Sequence, residues 1–252
     1  MPSSPWLLRP VADRQDRLRL FCFPHAGGGG SLFMPFAREL APTFDVRSVQ
    51  LPGRENRLRE PAHTRLPDLI HELVRALREY LDVPFALFGH SMGALVAFEL
   101  TRRLRAEGMP APVRLFVAGH RAPQLPSRHP RLAHLTDAEF IDAVGTRYGG
   151  VPDEVLRHAD LMALLLPCLR ADMALIEGYA YEADDPLTCP ISVYGGVDDA
   201  VTTQTELEGW RAQTRADCTL TRFPGGHFFV RSARPALVSA VSRELALVDA
   251  RR

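Results

Sequence analysis

The sequence predicts an α/β fold, a mainly parallel central sheet with helices on both faces and a helical lid set into one crossover. Three observations predict it. Short apolar runs alternate with segments of helical periodicity through the first 119 residues and again from Ile191 onward. One of those runs, Phe85-Ala86-Leu87-Phe88, ends in Gly89-His90-Ser91-Met92-Gly93 and opens straight into a helical pattern at Ala94–Leu100. Between about residues 132 and 184 the alternation stops and only helical patterns remain. Parallel strands joined by helices bury both faces of their sheet.

Taken in order, residues 1–16 are polar and Pro-containing and are expected to form a loosely ordered lead-in. Leu18–Phe23 is the first strong strand, and Pro24-His25-Ala26-Gly27-Gly28-Gly29-Gly30-Ser31 after it is too Gly-rich for regular structure. Phe33–Leu40 has helical spacing. Val46–Leu51 is a strand stopped by Pro52-Gly53, and a densely charged loop, Arg54–Glu60, follows. Leu69, Leu73, Leu77 and Leu81 repeat at i, i+4 and predict a helix over 66–81. The elbow strand and its helix come next, with Glu107-Gly108 as the stop. Val113–Gly119 is another strand.

In the 132–184 insertion, Asp137–Val144 and Leu161–Leu166 read as helices, with Pro152 and Pro167 punctuating them. The simplest reading is a lid over the active edge, within one domain spanning residues 1–252. Strand character returns at Ile191–Tyr194 and at Cys218–Phe223, and helices are expected near Thr205–Gln213 and Arg234–Val248.

Composition narrows the function classes. The 252 residues are 46% hydrophobic and carry 30 basic and 30 acidic side chains, so neither nucleic acid nor an anionic membrane is favoured as a partner. All the basic residues are Arg, which excludes lysine-based covalent catalysis. Cys22, Cys168, Cys189 and Cys218 form no C-x-x-C pair and sit in or beside apolar runs, the pattern of reduced buried thiols. No basic and apolar leader opens the chain, and no apolar run is long enough to span a bilayer. A cytoplasmic protein is expected.

A strand–turn–helix with Gly-x-Ser-x-Gly lifts a serine hydroxyl clear of the sheet. Asp198-Asp199 and His227 also follow strands, each flanked by glycine. The order Ser91, then Asp198 or Asp199, then His227 is the one used by the α/β-hydrolase fold. A neutral serine is a poor nucleophile, so an imidazole must take its proton, and a carboxylate must hold that imidazole in the right tautomer. Oxyanion stabilisation needs backbone N–H groups. The residue after the nucleophile, Met92, is expected to supply one, and Ala26 in the first Gly-rich turn the other. His25, His90 and His120 lie near the same edge as lining or shaping residues, and their spacing supports no metal site.

With these residues in place, the chain resembles the stand-alone type II thioesterases that accompany modular polyketide and nonribosomal peptide synthases. The likeness is carried by Phe23-Pro24-His25-Ala26-Gly27-Gly28, Leu51-Pro52-Gly53-Arg54-Glu55, Phe88–Ala94 and Gly225-Gly226-His227-Phe228-Phe229, and by Leu166–Asp172 in the lid. It implies hydrolysis of acyl groups from the phosphopantetheine arm of acyl or peptidyl carrier proteins, with Ser91, Asp199 and His227 catalytic. The family's Asp-Asp pair is what favours Asp199 over Asp198. It also implies that the chain carries no cofactor or metal of its own, the phosphopantetheine belonging to the partner. A monomer is expected. Leu164, Leu165 and Met173 are candidates for limiting acyl length. A small-molecule esterase or acyltransferase on the same fold, or a catalytically silent binding module, are the competing readings.

Overall fold

The computed structural model describes residues 4–9, 17–41, 43–149 and 159–249. Seven strands form one sheet in the order β1-β3-β2-β4-β5-β6-β7: β1 (Leu7–Leu8), β2 (Arg19–Phe23), β3 (Asp45–Val49), β4 (Phe85–His90), β5 (Arg114–Ala118), β6 (Ile191–Gly196) and β7 (Cys218–Phe223). From β3 to β7 every neighbouring pair is parallel, whereas β1 runs antiparallel on the edge, pairing Leu7 with Val49. That edge strand corrects the expectation of a loose lead-in for the part of 1–16 that is described. Two residues are too short to show a period, and the free edge of β3 supplies the partner.

Alternation along the strands sorts the core into two layers. Leu20, Cys22, Ala86, Phe88, Phe116 and Tyr194 face α1 (Met34–Leu40) and the last helix, with Phe36, Leu40, Leu237 and Val241 packed on them. Phe21, Phe23, Leu87, Leu115 and Val117 face α2 (Leu66–Leu77) and α3 (Met92–Ala106), meeting Leu69, Leu73, Leu95 and Phe98. The helix expected to reach residue 81 tightens to a 3-10 turn at Arg78–Tyr80.

The insertion contains α4 (Asp137–Tyr148) and α5 (Ala159–Glu177). Thr136 and Glu139 form a reciprocal capping box at the start of α4, and Gly149 closes it in the left-handed conformation at φ +67°. Pro152 lies outside the described residues. Pro167 does not punctuate, because α5 runs through it. A proline here removes an N–H and displaces the Ala163 carbonyl. Both Pro167 and Ala163 are on the exposed side of the helix, where solvent can take up that carbonyl, while Leu166 and Cys168 stay buried. Leu132, Phe140, Val144, Leu166 and Met173 make a small third core. Glu177 ties the segment down by accepting the Leu132 and Ala133 N–H groups at 2.6 and 3.2 Å.

After β6 come α6 (Gln204–Glu208), which passes into a 3-10 turn at Gly209–Gln213, and after β7 come α7 (Phe229–Ser232) and α8 (Arg234–Asp249). Among the described residues no helix is long and apolar enough to cross a membrane. The parallel sheet brings the loops after β2, β3, β4, β5, β6 and β7 to one edge, where ligands of such sheets bind.

Candidate active site

At the end of β4 the backbone turns sharply into α3. Ser91 sits at φ 55°, ψ −118°, a conformation that costs a non-glycine residue about 1–3 kcal/mol. The Ser91 N–H donates to the Ala118 carbonyl at 2.7 Å, anchoring the turn to β5. The flanking glycines make the turn sterically possible: a Cβ on Gly89 would lie 2.0 Å from the Gly93 carbonyl oxygen, and one on Gly93 would lie 2.1 Å from that of Phe23. The second contact presses the start of α3 against the end of β2, so Met92 and the Gly-rich turn are neighbours.

His227 Nε2 is 3.0 Å from Ser91 Oγ, and its Nδ1 is 3.0 Å from Asp199 Oδ2. All three residues are buried. Asp199 also accepts the Val201 N–H at 2.8 Å and the Thr202 hydroxyl at 2.7 Å. Burial alone would raise its carboxyl, but the bonds from His227, Thr202 and Val201 overrule that and hold it below the ordinary carboxylate value. Asp198 is exposed, and its N–H donates to Gly225 O. The arrangement brings Asp199, not Asp198, to the imidazole. Geometrically it is a proton relay: an acceptor nitrogen on the hydroxyl and an ionised carboxylate on the opposite ring nitrogen.

Ala26 lines one cavity with Ser91 and His227. Among the described residues its N–H has no acceptor, whereas the N–H groups of Gly27 and Gly28 are bonded to Asp172 and to the His25 carbonyl. The Met92 N–H belongs to the first turn of α3 and has no intrahelical partner. Two donors therefore stand beside the serine at the positive end of a helix.

The other expected lining residues are also at this edge. His90 is fully buried and its Nε2–H donates to the His227 carbonyl at 2.9 Å. Burial, with His227 and His25 nearby, holds it well below the ordinary histidine value. His25 Nδ1–H donates to the Ala26 carbonyl at 2.9 Å, and burial lowers this residue to about 4. His120 Nδ1–H donates to the Arg121 carbonyl at 2.6 Å, and burial followed by Arg121 lowers it to about 3. All three are therefore neutral at physiological pH. Among the described residues no group of three or more His, Cys, Asp or Glu side chains is arranged to hold a metal ion.

Two cavities meet at Ser91. One, of about 320 Å³, runs under the insertion and is lined by Val144, Met162, Leu165, Leu166, Leu169 and Met173 among others. The other, of about 520 Å³, leads out past Gly119, His120, Arg121, Pro123 and Arg147. Leu165 and Met173 face the first cavity as expected, but Leu164 does not. It is 49% exposed, because one helical step turns it to the outer face of α5. Sequence reasoning missed Tyr148, whose ring lies 5.3 Å from that of His227 and lines both cavities. It also missed the buried pairing of Arg54 with Asp172, whose only signal was that each lies in a motif without an assigned role.

Residues 18–245 match the thioesterase domain model. The chain is 38% identical to the gramicidin S biosynthesis protein GrsT of Aneurinibacillus migulanus, over 96% of this chain and 94% of that protein. It is 34% identical to the thioesterase PikA5 of Streptomyces venezuelae, over 96% of this chain and 86% of the relative. Among solved structures it is similar to the RedJ thioesterase from the prodiginine pathway of Streptomyces coelicolor. The TM-score is 0.86 at 36% identity, covering 96% of this chain and 98% of the other.

Proposed function

The chain belongs to the thioesterase family, and on that premise we propose that it is a stand-alone editing thioesterase serving a polyketide or nonribosomal peptide synthase. Its substrate is an acyl group held as a thioester on the phosphopantetheine arm of an acyl or peptidyl carrier protein. The observation that carries this reading is the Ser91–His227–Asp199 relay, with both bonds at 3.0 Å, opening onto two cavities rather than one. A thioester needs two arms of space. The apolar cavity under the insertion suits the acyl chain, and the channel past His120 and Arg121 suits the amide-rich pantetheine.

In the proposed reaction Ser91 Oγ attacks the thioester carbonyl while His227 Nε2 takes its proton. The Ala26 and Met92 N–H groups receive the oxyanion; losing one such donor typically costs ~2.7–4 kcal/mol of transition-state stabilisation. The C–S bond then breaks, and the sulfur leaves as a thiol carrying the proton from His227. Water attacks the acyl-serine, His227 again takes the proton, and collapse returns Ser91 and releases a carboxylic acid. Asp199 keeps the His227 Nδ1–H oriented and stabilises the imidazolium formed in each half. No metal or organic cofactor enters these steps.

The test compares one hexanoyl group presented on a carrier protein, on coenzyme A and as a p-nitrophenyl ester. The proposal expects the highest kcat/KM on the carrier. Preference for the simple ester would favour a small-molecule esterase instead, and no turnover of any of them would favour a binding module.

A further inference from the structure

Two motifs take no part in the relay, Leu51-Pro52-Gly53-Arg54-Glu55 after β3 and Leu166–Asp172 on α5, and the fold joins them. Arg54 and Asp172, both buried, form a two-point ion pair: Nη1 to Oδ2 and Nη2 to Oδ1, each 2.8 Å. Their remaining bonds run mainly to the Gly-rich turn. Asp172 Oδ2 accepts the Gly27 N–H at 2.7 Å, and Arg54 Nη1 donates to the Gly28 carbonyl at 3.2 Å. Arg54 Nε donates to Pro52 O at 3.2 Å, fixing the guanidinium plane from behind.

The consequence falls on Ala26. The peptide before it is pinned because the His25 carbonyl accepts the Gly28 N–H at 2.9 Å. The peptide after it is pinned at both ends, its carbonyl by His25 Nδ1 and its N–H by Asp172. With both flanking planes fixed, the direction of the Ala26 N–H is fixed too. Gly27 takes φ +72°, and a Cβ there would lie 3.1 Å from Leu169 Cδ1, so the turn is wedged against α5 as well as bonded to it. A buried ion pair is seldom worth more to stability than apolar residues of the same volume. What its fork geometry supplies here is direction.

We propose that Arg54 and Asp172 are positioning residues for the oxyanion donor: a clamp between the β3 loop and α5 that sets the Ala26 N–H and makes it depend on the placement of α5. Leu169 and Met173, on the same helix as Asp172, line the apolar cavity. A chain bound against them therefore acts on the element that holds the donor. This rests on the serine-thioesterase reading above, and a Ser91→Ala control separates the two: turnover surviving in that variant defeats the reading, whereas turnover lost there but kept in the clamp variants defeats only the clamp.

The test uses Arg54→Met/Asp172→Leu, which removes both charges together and leaves neither orphaned, with Arg54→Lys as a second variant that keeps the charge but loses the fork. The readouts are kcat and KM on a hexanoyl thioester and the affinity of hexylboronic acid, whose tetrahedral serine adduct directs an oxygen at the oxyanion donors. For the double variant we expect kcat to fall about 100-fold, the size of losing one donor, with KM within about threefold. Boronate affinity should fall in proportion to kcat. Arg54→Lys should show a smaller loss with the same proportionality. Wild-type kcat in either variant, or a fall in kcat with boronate affinity unchanged, overturns the proposal.

Discussion

His90 Nε2–H donates to the main-chain carbonyl of His227 at 2.9 Å, so the residue immediately before the elbow serine holds the loop that presents the imidazole. The bond crosses from β4 to the turn after β7, and it is sealed by Phe228 and Phe229, whose rings each lie 6.0 Å from that of His90. His90→Phe would keep a ring in the site but leave a buried carbonyl unpaired. We expect it to lower stability by about 1–3 kcal/mol, measured by chemical denaturation. Wild-type stability would show that the carbonyl finds another donor.

The Asp198-Asp199 pair separates cleanly. Asp199→Asn should cut kcat on an acyl thioester by about ten-thousandfold, because the amide favours the wrong imidazole tautomer. Asp198→Asn, on an exposed side chain, should stay within about threefold, as surface changes do. Similar losses in both variants would remove Asp199 from the relay.

Stability should fall on the acid side for a reason visible in the site. Burial lowers His120 to about 3, so below its ordinary value of 6.5 the unfolded chain binds a proton that the folded chain refuses. Stability from this residue is complete above 6.5 and is lost as pH falls toward 3, at up to about 1.4 kcal/mol per pH unit. Buried His90 acts in the same direction. His120→Asn should reduce the acid slope of unfolding free energy by about one proton, and an unchanged slope would count against a neutral buried His120.

Acyl length should answer to the wall of the apolar cavity. Val144 is buried on α4 and faces that cavity. Val144→Phe should shift the best-hydrolysed saturated acyl group to a shorter chain, with a stability cost of about 1–3 kcal/mol from overpacking. A panel of C2 to C12 thioesters reads this directly, and an unchanged profile would move the acyl chain to the other cavity.

Much of this was legible in the sequence because short apolar runs ended by glycine or proline are local signals. The elbow, the Gly-rich turn and the loop before His227 are each contiguous. What stayed hidden depends on distant partners. Arg19 and Arg54 show their partners only when Asp45 and Asp172, on other elements, are folded against them. Asp198 and Asp199 are adjacent, and only the turn after β6 decides which one points inward. Leu164 and Leu165 differ by one helical step, which separates solvent from cavity. The edge strand Leu7–Leu8 exists only because β3 offers it a partner.

The central claim is that thioester hydrolysis passes through Ser91. The most direct test is titration with a serine-directed alkylphosphonate, following the modified peptide by mass spectrometry and carrier-thioester hydrolysis in the same samples. A single adduct on Ser91, with activity lost in step with labelling, is the predicted result. An adduct on another residue, or hydrolysis that persists once Ser91 is fully modified, would contradict the account.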